Sequence, residues 1–214
     1  MTRHLLLVPT VGERRIVEQV IGSSDGGRLR IELCGFGPIA AAARTAHLLA
    51  TLQPARVTLV GIAGAIDGRL TVGHAYRFDE VVSYGVGVGT GSDFQQASSL
   101  GWPQWPGDPS VGQPAVGDRI GSAGTTAGHV LLTACTASAG PADVQLRRAL
   151  VPDAGAEDME GFGVAIACEL ARVSWTIIRG ISNRAGDRDH SRWCVEPALE
   201  AAAMLAVQAL AEAP

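Results

Sequence analysis

The feature of this sequence that most restricts its fold is a regular alternation of short apolar runs with longer, alanine-rich stretches. Short apolar runs bounded by Gly and Pro are typical of buried strands, and the Ala-rich stretches have the length and composition of helices. Such alternation is typical of α/β domains. It predicts strands at residues 5–8, 30–34, 57–60, 76–82, 130–134 and 175–178. It predicts helices at residues 14–21, 39–52, 143–150, 160–171 and 197–211.

Length and composition indicate one globular domain over residues 1–214, because hydrophobic residues make up 47% and charged residues only 18% of the chain. Every cation is Arg and the net charge is −4, which does not favour a nucleic-acid partner. No apolar run reaches the length of a membrane span or a signal-peptide core, so a cytoplasmic protein without a membrane partner is expected. The four cysteines form no CxxC pair, and neither a disulfide, a metal site nor a cofactor is expected.

The stretch from residue 84 to 117 departs from the alternation, since it is rich in Gly, Ser, Pro and Gln and contains Phe94, Trp102 and Trp105. A long irregular segment inside a compact domain is usually functional or pairs as irregular strands. Its two tryptophans either cover an apolar ligand or patch the core or an oligomer interface.

Two glycine-rich segments, GFGP at residues 35–38 and GIAGA at residues 61–65, follow predicted strands. Glycines there allow tight turns or let a ligand approach backbone N–H groups. In α/β sheets ligands bind at the carboxyl ends of strands, but a plain tight turn is the better explanation of either segment when it is considered alone.

The segment EDMEG at residues 157–161 precedes a predicted helix. Capping of the first helical turn would account for Glu157 and Asp158. It explains Glu160 poorly, because the following GFGVAIAC is apolar and a buried carboxylate needs strong partners. The vicinal diol of a ribose offers two donors, and Met159 would supply an apolar platform for the sugar.

Two further polar features are ambiguous by themselves. Residues 179–189, RGISNRAGDRD, follow the last predicted strand and are either a ligand-binding edge or a solvated loop. Glu13 lies just beyond the first strand, where a helix-start glutamate is the simpler interpretation.

Taken together, these segments resemble the nucleoside phosphorylase/nucleosidase superfamily over residues 5–210. The matching pieces are GFGPIAAA, GIAGAIDGRLTVGHAYRFDEVV, EDMEG and RGISN. Within it, GIAGA, YGVGVG and ISNRAGDRD favour the futalosine hydrolases, followed by the methylthioadenosine/S-adenosylhomocysteine nucleosidases. The resemblance implies a three-layer αβα sandwich around a twisted mixed β-sheet, assembled as a homo-oligomer.

The resemblance also implies site residues for a purine nucleoside. Glu13 would activate water, while Met159 and Glu160 would contact the ribose. Asn183 and, more weakly, Asp187 would serve the leaving base. The remaining substrate-binding residues would be Ile62, Ala63 and Gly64 beside the sugar, Thr136, Ala137 and Ser138 near the purine, and Ser182.

Residue types favour one reaction among those of the superfamily. A carboxylate at Glu13 would repel phosphate but accept a proton from water, so hydrolysis is favoured, although Arg14 and Arg15 are close in sequence. Adenine-directed nucleosidases have Asp where this chain has Asn183, and an amide N–H suits the 6-oxo group of hypoxanthine.

The preferred prediction is therefore hydrolysis of futalosine to hypoxanthine and dehypoxanthine futalosine in menaquinone biosynthesis. The aromatic carboxylate of futalosine would meet the tryptophan segment and one of Arg184, Arg188 and Arg192. The alternatives are a methylthioadenosine/S-adenosylhomocysteine nucleosidase, a purine nucleoside phosphorylase, or a non-catalytic nucleoside-binding protein.

Overall fold

A computed structural model describes residues 4–22, 29–122 and 128–211. The strands are β1 (His4–Val8), β2 (Leu29–Leu33), β3 (Arg56–Ala65), β4 (Ala75–Tyr84), β5 (Gly87–Val88), β6 (Gln95–Gln96), β7 (Arg119–Gly121), β8 (His129–Ala134), β9 (Ala154–Asp158) and β10 (Ser174–Arg184). The α-helices are α1 (Val11–Ile21), α2 (Pro38–Leu52), α3 (Pro141–Leu150), α4 (Gly161–Ala171) and α5 (Val195–Ala211).

The central sheet is mixed and follows the order β10-β4-β8-β9-β3-β1-β2, with β7 added beside β4. Strands β1, β2, β3 and β10 run parallel to their neighbours in this group, whereas β9 is antiparallel to β3 and β4 is antiparallel to β10. Because β10 pairs with β3 as well as with β4, the strands from β3 round to β10 form a closed path.

The helices cover both faces of this sheet, which explains why β1 is apolar at every position from Leu5 to Val8. Leu5 and Leu7 pack in a cluster with residues of α2 and α4, while Leu6 and Val8 pack in another with residues of α1 and α5. A strand buried on both faces has no reason to alternate apolar with polar residues. The predicted α/β fold with a mixed central sheet and helices on both sides is confirmed.

Several element boundaries differ from those expected. The GIAGA segment lies inside β3, not in a turn, and residues 179–184 belong to β10, not to a loop. The reason is that these two long strands pair in parallel through this whole region. Glu157 and Asp158 lie in β9, since α4 begins only at Gly161. Strand β9 has the sequence AGAED, which lacks the β-branched residues that signal a strand.

The irregular stretch at residues 84–117 contains the β5–β6 hairpin and three short 3₁₀ helices, which confirms irregular strand pairing. Trp105 packs against the main core and its backbone pairs with Val116, while Trp102 stays exposed. Across the three described ranges, no helix has the length and apolarity needed to cross a membrane.

Candidate active site

A cavity of about 560 Å³ opens where the carboxyl ends of β1, β3 and β10 meet. This is the edge at which parallel strands of α/β proteins present ligand-binding groups. The residues expected from the sequence that line it are Glu13, Ile62, Ala63, Gly64, Ala137, Met159, Glu160, Ser182 and Asn183. Thr136, Ser138 and Asp187 are not part of its lining.

Glu13 occupies the third position of α1 and is buried beneath the cavity. It does cap the helix, because its Oε2 accepts hydrogen bonds from the backbone N–H of Thr10 at 3.1 Å and from the Thr10 hydroxyl at 2.7 Å. Its other oxygen, Oε1, accepts from the backbone N–H of Ile62 in β3 at 3.2 Å. The carboxylate is therefore held in one orientation between α1 and β3, which simple capping does not require.

A buried arginine organises the acidic residues of the site. Arg179 is fully buried in β10, and its Nε donates to Asp158 Oδ2 at 3.0 Å. Its Nη2 donates to Asp158 and also to Glu160 Oε2 at 3.1 Å. Although burial lowers the pKa of this guanidinium, the carboxylates around it raise the pKa above its usual value, so Arg179 stays a cation.

Asp158 is a structural partner of Arg179, since its two oxygens have further internal donors. Oδ1 accepts from the Thr133 hydroxyl at 2.6 Å and Oδ2 from the backbone N–H of Gly161 at 2.8 Å. The latter bond caps the start of α4, so the capping interpretation holds for Asp158. With its acceptors used inside the protein, Asp158 supports the site without needing a ligand.

Glu160 has fewer partners and a raised pKa. Its Oε1 accepts from the backbone N–H of Gly37 at 3.0 Å, where the GFGP turn approaches the end of β9. Burial is the largest cause that raises the pKa of Glu160 to about 7, and repulsion from Asp158 and Glu13 adds to it, while Arg179 opposes it. A carboxylate in this setting gains from any additional hydrogen-bond donor that a ligand brings.

The third nitrogen of Arg179 is a distinctive feature of the site. Nη1 is buried and has no hydrogen-bond partner among the described residues. It lies against Gly61, the residue paired with Arg179 across β3 and β10, and a Cβ atom at Gly61 would be 2.2 Å from it. The same Cβ would be 3.0 Å from Glu13 Oε1. Only glycine at position 61 leaves room for the guanidinium and the carboxylate to stand side by side.

Asn183 lies near the end of β10, where its side chain lines the cavity. Its Oδ1 accepts from the Ser182 hydroxyl at 2.8 Å, and its Nδ2 donates to the backbone carbonyl of Arg184 at 2.8 Å. Nδ2 also reaches the backbone carbonyl of Asp187, at 3.5 Å. An amide nitrogen carries two hydrogens, so the N–H that makes this long contact is the donor that a purine would take over.

Asp187 is directed away from the cavity. Its Oδ1 accepts from Arg192 Nη2 at 2.7 Å and from the backbone N–H of Asp189 at 3.0 Å. The hydrogen bond from Arg192 is the main reason that the pKa of Asp187 lies below its usual value. A carboxyl group that is ionised and already paired is poorly suited to protonate a leaving base, so the structure does not favour Asp187 as the acid.

The loop between β8 and α3 reaches the cavity only through Ala137. Ser138 is buried, and both its N–H and its hydroxyl donate to Glu157, at 2.9 and 2.6 Å. Arg147 of α3 binds the same carboxylate and the carbonyl of Thr136. Glu157 thus holds this loop in place from β9, which is a different role from the helix capping that its position suggested.

The outer part of the cavity contains Arg188, one of the three arginines that the sequence offered as partners of a carboxylate, together with residues that the sequence did not assign to the site. It is lined by Phe36 and by Arg188, His190 and Trp193 from the segment between β10 and α5. Neither Trp102 nor Trp105 lines it, so within this chain the tryptophan segment does not cover the ligand. Arg179 was also missed as a site residue. The signal for it was present, because a charge inside the apolar strand WTIIRGIS must be paired when buried.

Comparisons with known proteins place this architecture in a family. A profile of the phosphorylase superfamily matches residues 3–212. The chain belongs to the phosphorylase superfamily. Among curated members, a futalosine hydrolase of Streptomyces coelicolor is 34% identical over 172 residues, which cover 78% of this chain and 72% of that protein. A 5′-methylthioadenosine/S-adenosylhomocysteine nucleosidase of Anoxybacillus flavithermus is 30% identical over 175 residues, covering 77% and 72%.

Solved structures of nucleosidases share the fold of this chain. A 5′-methylthioadenosine/S-adenosylhomocysteine nucleosidase of Helicobacter pylori superposes with a TM-score of 0.77, covering 100% of this chain and 99% of that one. Its sequence identity is 16%, so this likeness concerns the fold.

Proposed function

We propose that this member of the phosphorylase superfamily hydrolyses the N-glycosidic bond of a 5′-substituted purine nucleoside, converting futalosine to hypoxanthine and dehypoxanthine futalosine. The observation that carries the proposal is the Glu13 carboxylate, which lines the cavity and is held in one orientation by Thr10 and Ile62, with the guanidinium of Arg179 buried behind the lining. The 34% identity to a futalosine hydrolase supports the choice of substrate.

The charge of the cavity floor suits glycosidic cleavage. Breaking the bond to the base builds positive charge on the ribose ring, and an enzyme accelerates the reaction by stabilising that charge in place. Glu13, Asp158 and Glu160 stand here against the single guanidinium of Arg179. The floor is therefore net negative, and its charges are held by internal hydrogen bonds before a substrate arrives.

Glu13 suits the activation of the attacking water. A water in the cavity would donate a hydrogen bond to the Glu13 carboxylate, which lines the cavity and which the N–H groups of Thr10 and Ile62 hold in one orientation. Glu13 would then take the proton as the water oxygen attacks the anomeric carbon. Glu160 would accept from the ribose hydroxyls and Met159 would contact the sugar face.

The base would leave toward Asn183 and the Ala137 loop. Negative charge develops on the departing purine, and the Asn183 amide can donate to it the N–H that otherwise makes only a 3.5 Å contact with the carbonyl of Asp187. A 6-oxo purine such as hypoxanthine matches this donor. An adenine-specific site would be better served by a carboxyl group that delivers a proton to the ring.

Phosphorolysis fits the cavity less well. A phosphate dianion needs cationic or N–H donors, and the negative floor would repel it. Arg14 forms an exposed ion pair with Glu18, and neither Arg14 nor Arg15 lines the cavity. Arg179 is engaged with two carboxylates.

The same proposal includes four further expectations. The protein is a homo-oligomer, it forms a single domain over residues 1–214, it is cytoplasmic, and it catalyses a step in menaquinone biosynthesis. Val11, Phe36 and Ile39 support the oligomer, because all three are exposed large apolar side chains and Phe36 also lines the cavity. A species of monomer mass in sedimentation velocity at assay concentration would contradict the oligomer.

The test is product analysis after incubation with futalosine, inosine and methylthioadenosine, each with and without phosphate. We expect phosphate-independent release of hypoxanthine from futalosine. Release of adenine from methylthioadenosine at a higher rate would favour the other nucleosidase activity, and ribose 1-phosphate products would show a phosphorylase.

The role of Glu13 is tested by Glu13→Gln, with Glu18→Gln on the exposed side of the same helix as the matched control. General base catalysis contributes roughly 10²–10⁴-fold, so kcat of Glu13→Gln should fall by about that factor while its circular dichroism is unchanged. The Glu18 variant should retain full activity. Hydrolysis at the wild-type rate by Glu13→Gln would refute the assignment.

A further inference from the structure

The segment that joins β10 to α5 forms the outer wall of the cavity. It contains a short 3₁₀ helix, His190–Arg192, and its indole side chain is fixed from two directions. Trp193 Nε1 donates to the carbonyl of Asp187 at 3.0 Å, and its ring stacks on His190 with the centroids 4.3 Å apart. A rigid aromatic surface therefore faces the outer part of the cavity.

Three arginines lie in or beside this segment, and two of them are already engaged. Arg184 donates to the backbone carbonyl of Asp67 at 2.6 Å, and Arg192 forms an ion pair with Asp187 at 2.7 Å. Neither lines the cavity. Their guanidinium groups therefore stabilise the conformation of the segment through contacts within the protein.

Arg188 differs from both. It lines the cavity and its guanidinium carbon lies 5.1 Å from the centre of the Trp193 ring. No carboxylate of the described residues is within ion-pair distance of it. Stacking on an aromatic face orients a guanidinium while leaving its edge N–H groups free, and that edge matches the geometry of a carboxylate.

The two ends of the cavity therefore carry opposite charge. The floor holds the carboxylates of Glu13 and Glu160, which suit a ribose and a developing cation. The outer wall holds the guanidinium of Arg188, which has no ion-pair partner among the residues that the structure describes, beside an indole ring. A ligand that fills both ends would have a neutral nucleoside portion inside and an anionic group, carried on an apolar body, outside.

We propose that Arg188, oriented by Trp193, binds an anionic group on the 5′ substituent of the nucleoside and so selects acidic substrates over neutral ones. Trp193 contacts the apolar part of that substituent, and the free edge of Arg188 donates to its carboxylate. This inference rests on the proposed nucleosidase function and assigns the specificity of the same cavity to one side chain.

The experiment compares futalosine with its neutral methyl ester, using wild type, Arg188→Gln and the matched control Arg192→Gln from the same segment. Hydrogen bonds to charged groups in partly exposed positions support a change of about 10-fold. We expect Arg188→Gln to lower kcat/KM for futalosine by about 10-fold, mainly through KM, and to leave the ester within about 2-fold. Arg188→Lys should restore part of the preference, and raised salt should weaken it in the wild type.

Equal losses on acid and ester, no loss on either, or the same selective loss in Arg192→Gln would overturn the inference. Calorimetry measures the binding of the same two compounds without turnover, so it tests the role of Arg188 separately from the proposed nucleosidase activity. A wild-type preference for the acid that Arg188→Gln removes would support the inference even without turnover. Hypoxanthine release without any charge preference would overturn it and leave the nucleosidase proposal standing.

Discussion

Substitution of Gly61 by Ala tests the arrangement at the centre of the site with a single methyl group. Gly61 lies in β3 directly opposite Arg179 of β10, and its backbone φ is ordinary, so alanine meets no conformational barrier there. The obstacle is the space. The added Cβ would stand 2.2 Å from Arg179 Nη1, 3.0 Å from Glu13 Oε1 and 3.1 Å from Pro9 Cδ.

The guanidinium has little freedom to move away from such a methyl group. Arg179 is fully buried and bonded to Asp158 and Glu160, so a shift of about 1 Å must stretch those bonds or push the neighbouring strand. Overpacking of a rigid interior typically costs about 1–3 kcal/mol of unfolding free energy. A displacement of about 1 Å in catalytic groups reduces turnover by roughly 10²-fold.

We therefore expect Gly61→Ala to lose about 1–3 kcal/mol in urea denaturation and roughly 10²-fold in kcat/KM for futalosine, measured where the variant is fully folded. Gly68→Ala is the matched control, because a Cβ there meets no atom within 4 Å. The Gly68 variant should behave as the wild type. Wild-type stability and activity in Gly61→Ala would refute the tight contact between Gly61, Arg179 and Glu13.

Two further predictions concern the floor and the base site. Because burial raises the pKa of Glu160 from 4.5 to about 7, the folded protein holds this proton more tightly than the unfolded chain does. The contribution of Glu160 to stability should fall as pH rises from about 4.5 through 7, by on the order of 3 kcal/mol. Urea denaturation of wild type and Glu160→Gln at pH 5 and pH 8 measures this, and a wild type that gains stability relative to the variant on going to pH 8 would contradict it. Asn183→Asp should shift release from hypoxanthine toward adenine, measured with inosine and adenosine, since a carboxylate faces a 6-oxo group unfavourably. An unchanged ratio of the two bases would argue against the role of Asn183.

The sequence contained enough to predict the fold class, because its alternating apolar runs and Ala-rich stretches follow directly from burial on two faces. Strand β1 is apolar from Leu5 to Val8, since Leu5 and Leu6 face different helical layers. Strand β9 was missed because its AGAED sequence carries no β-strand propensity and pairs only through tertiary neighbours. The lengths of β3 and β10 were underestimated for the same reason, since each extends where it has the other as a partner.

The residues of the candidate site were also predicted only in part. By themselves these residues were ambiguous, and the resemblance of four segments to the superfamily pointed to Glu13, Met159, Glu160 and Asn183. The fold brings all four to one cavity. Asp187 was proposed as a possible acid because it lies four positions after Asn183. Its carboxylate instead accepts a hydrogen bond from Arg192 and does not line the cavity. Which side chains form an ion pair depends on the direction in which each side chain points. The spacing of residues in the sequence after a strand does not specify that direction.

What the sequence by itself determined is the set of elements and the chemical character of the groups available. Only the tertiary structure decided which groups act together. The long-range pairing of β10 with β3 places Arg179 against Gly61 and Glu13, although more than a hundred residues separate them along the chain. It also decided that Arg188, rather than Arg184 or Arg192, faces the cavity. The physical reason is that a charge acquires its role from the partners within a few ångströms of it, and folding alone supplies those partners.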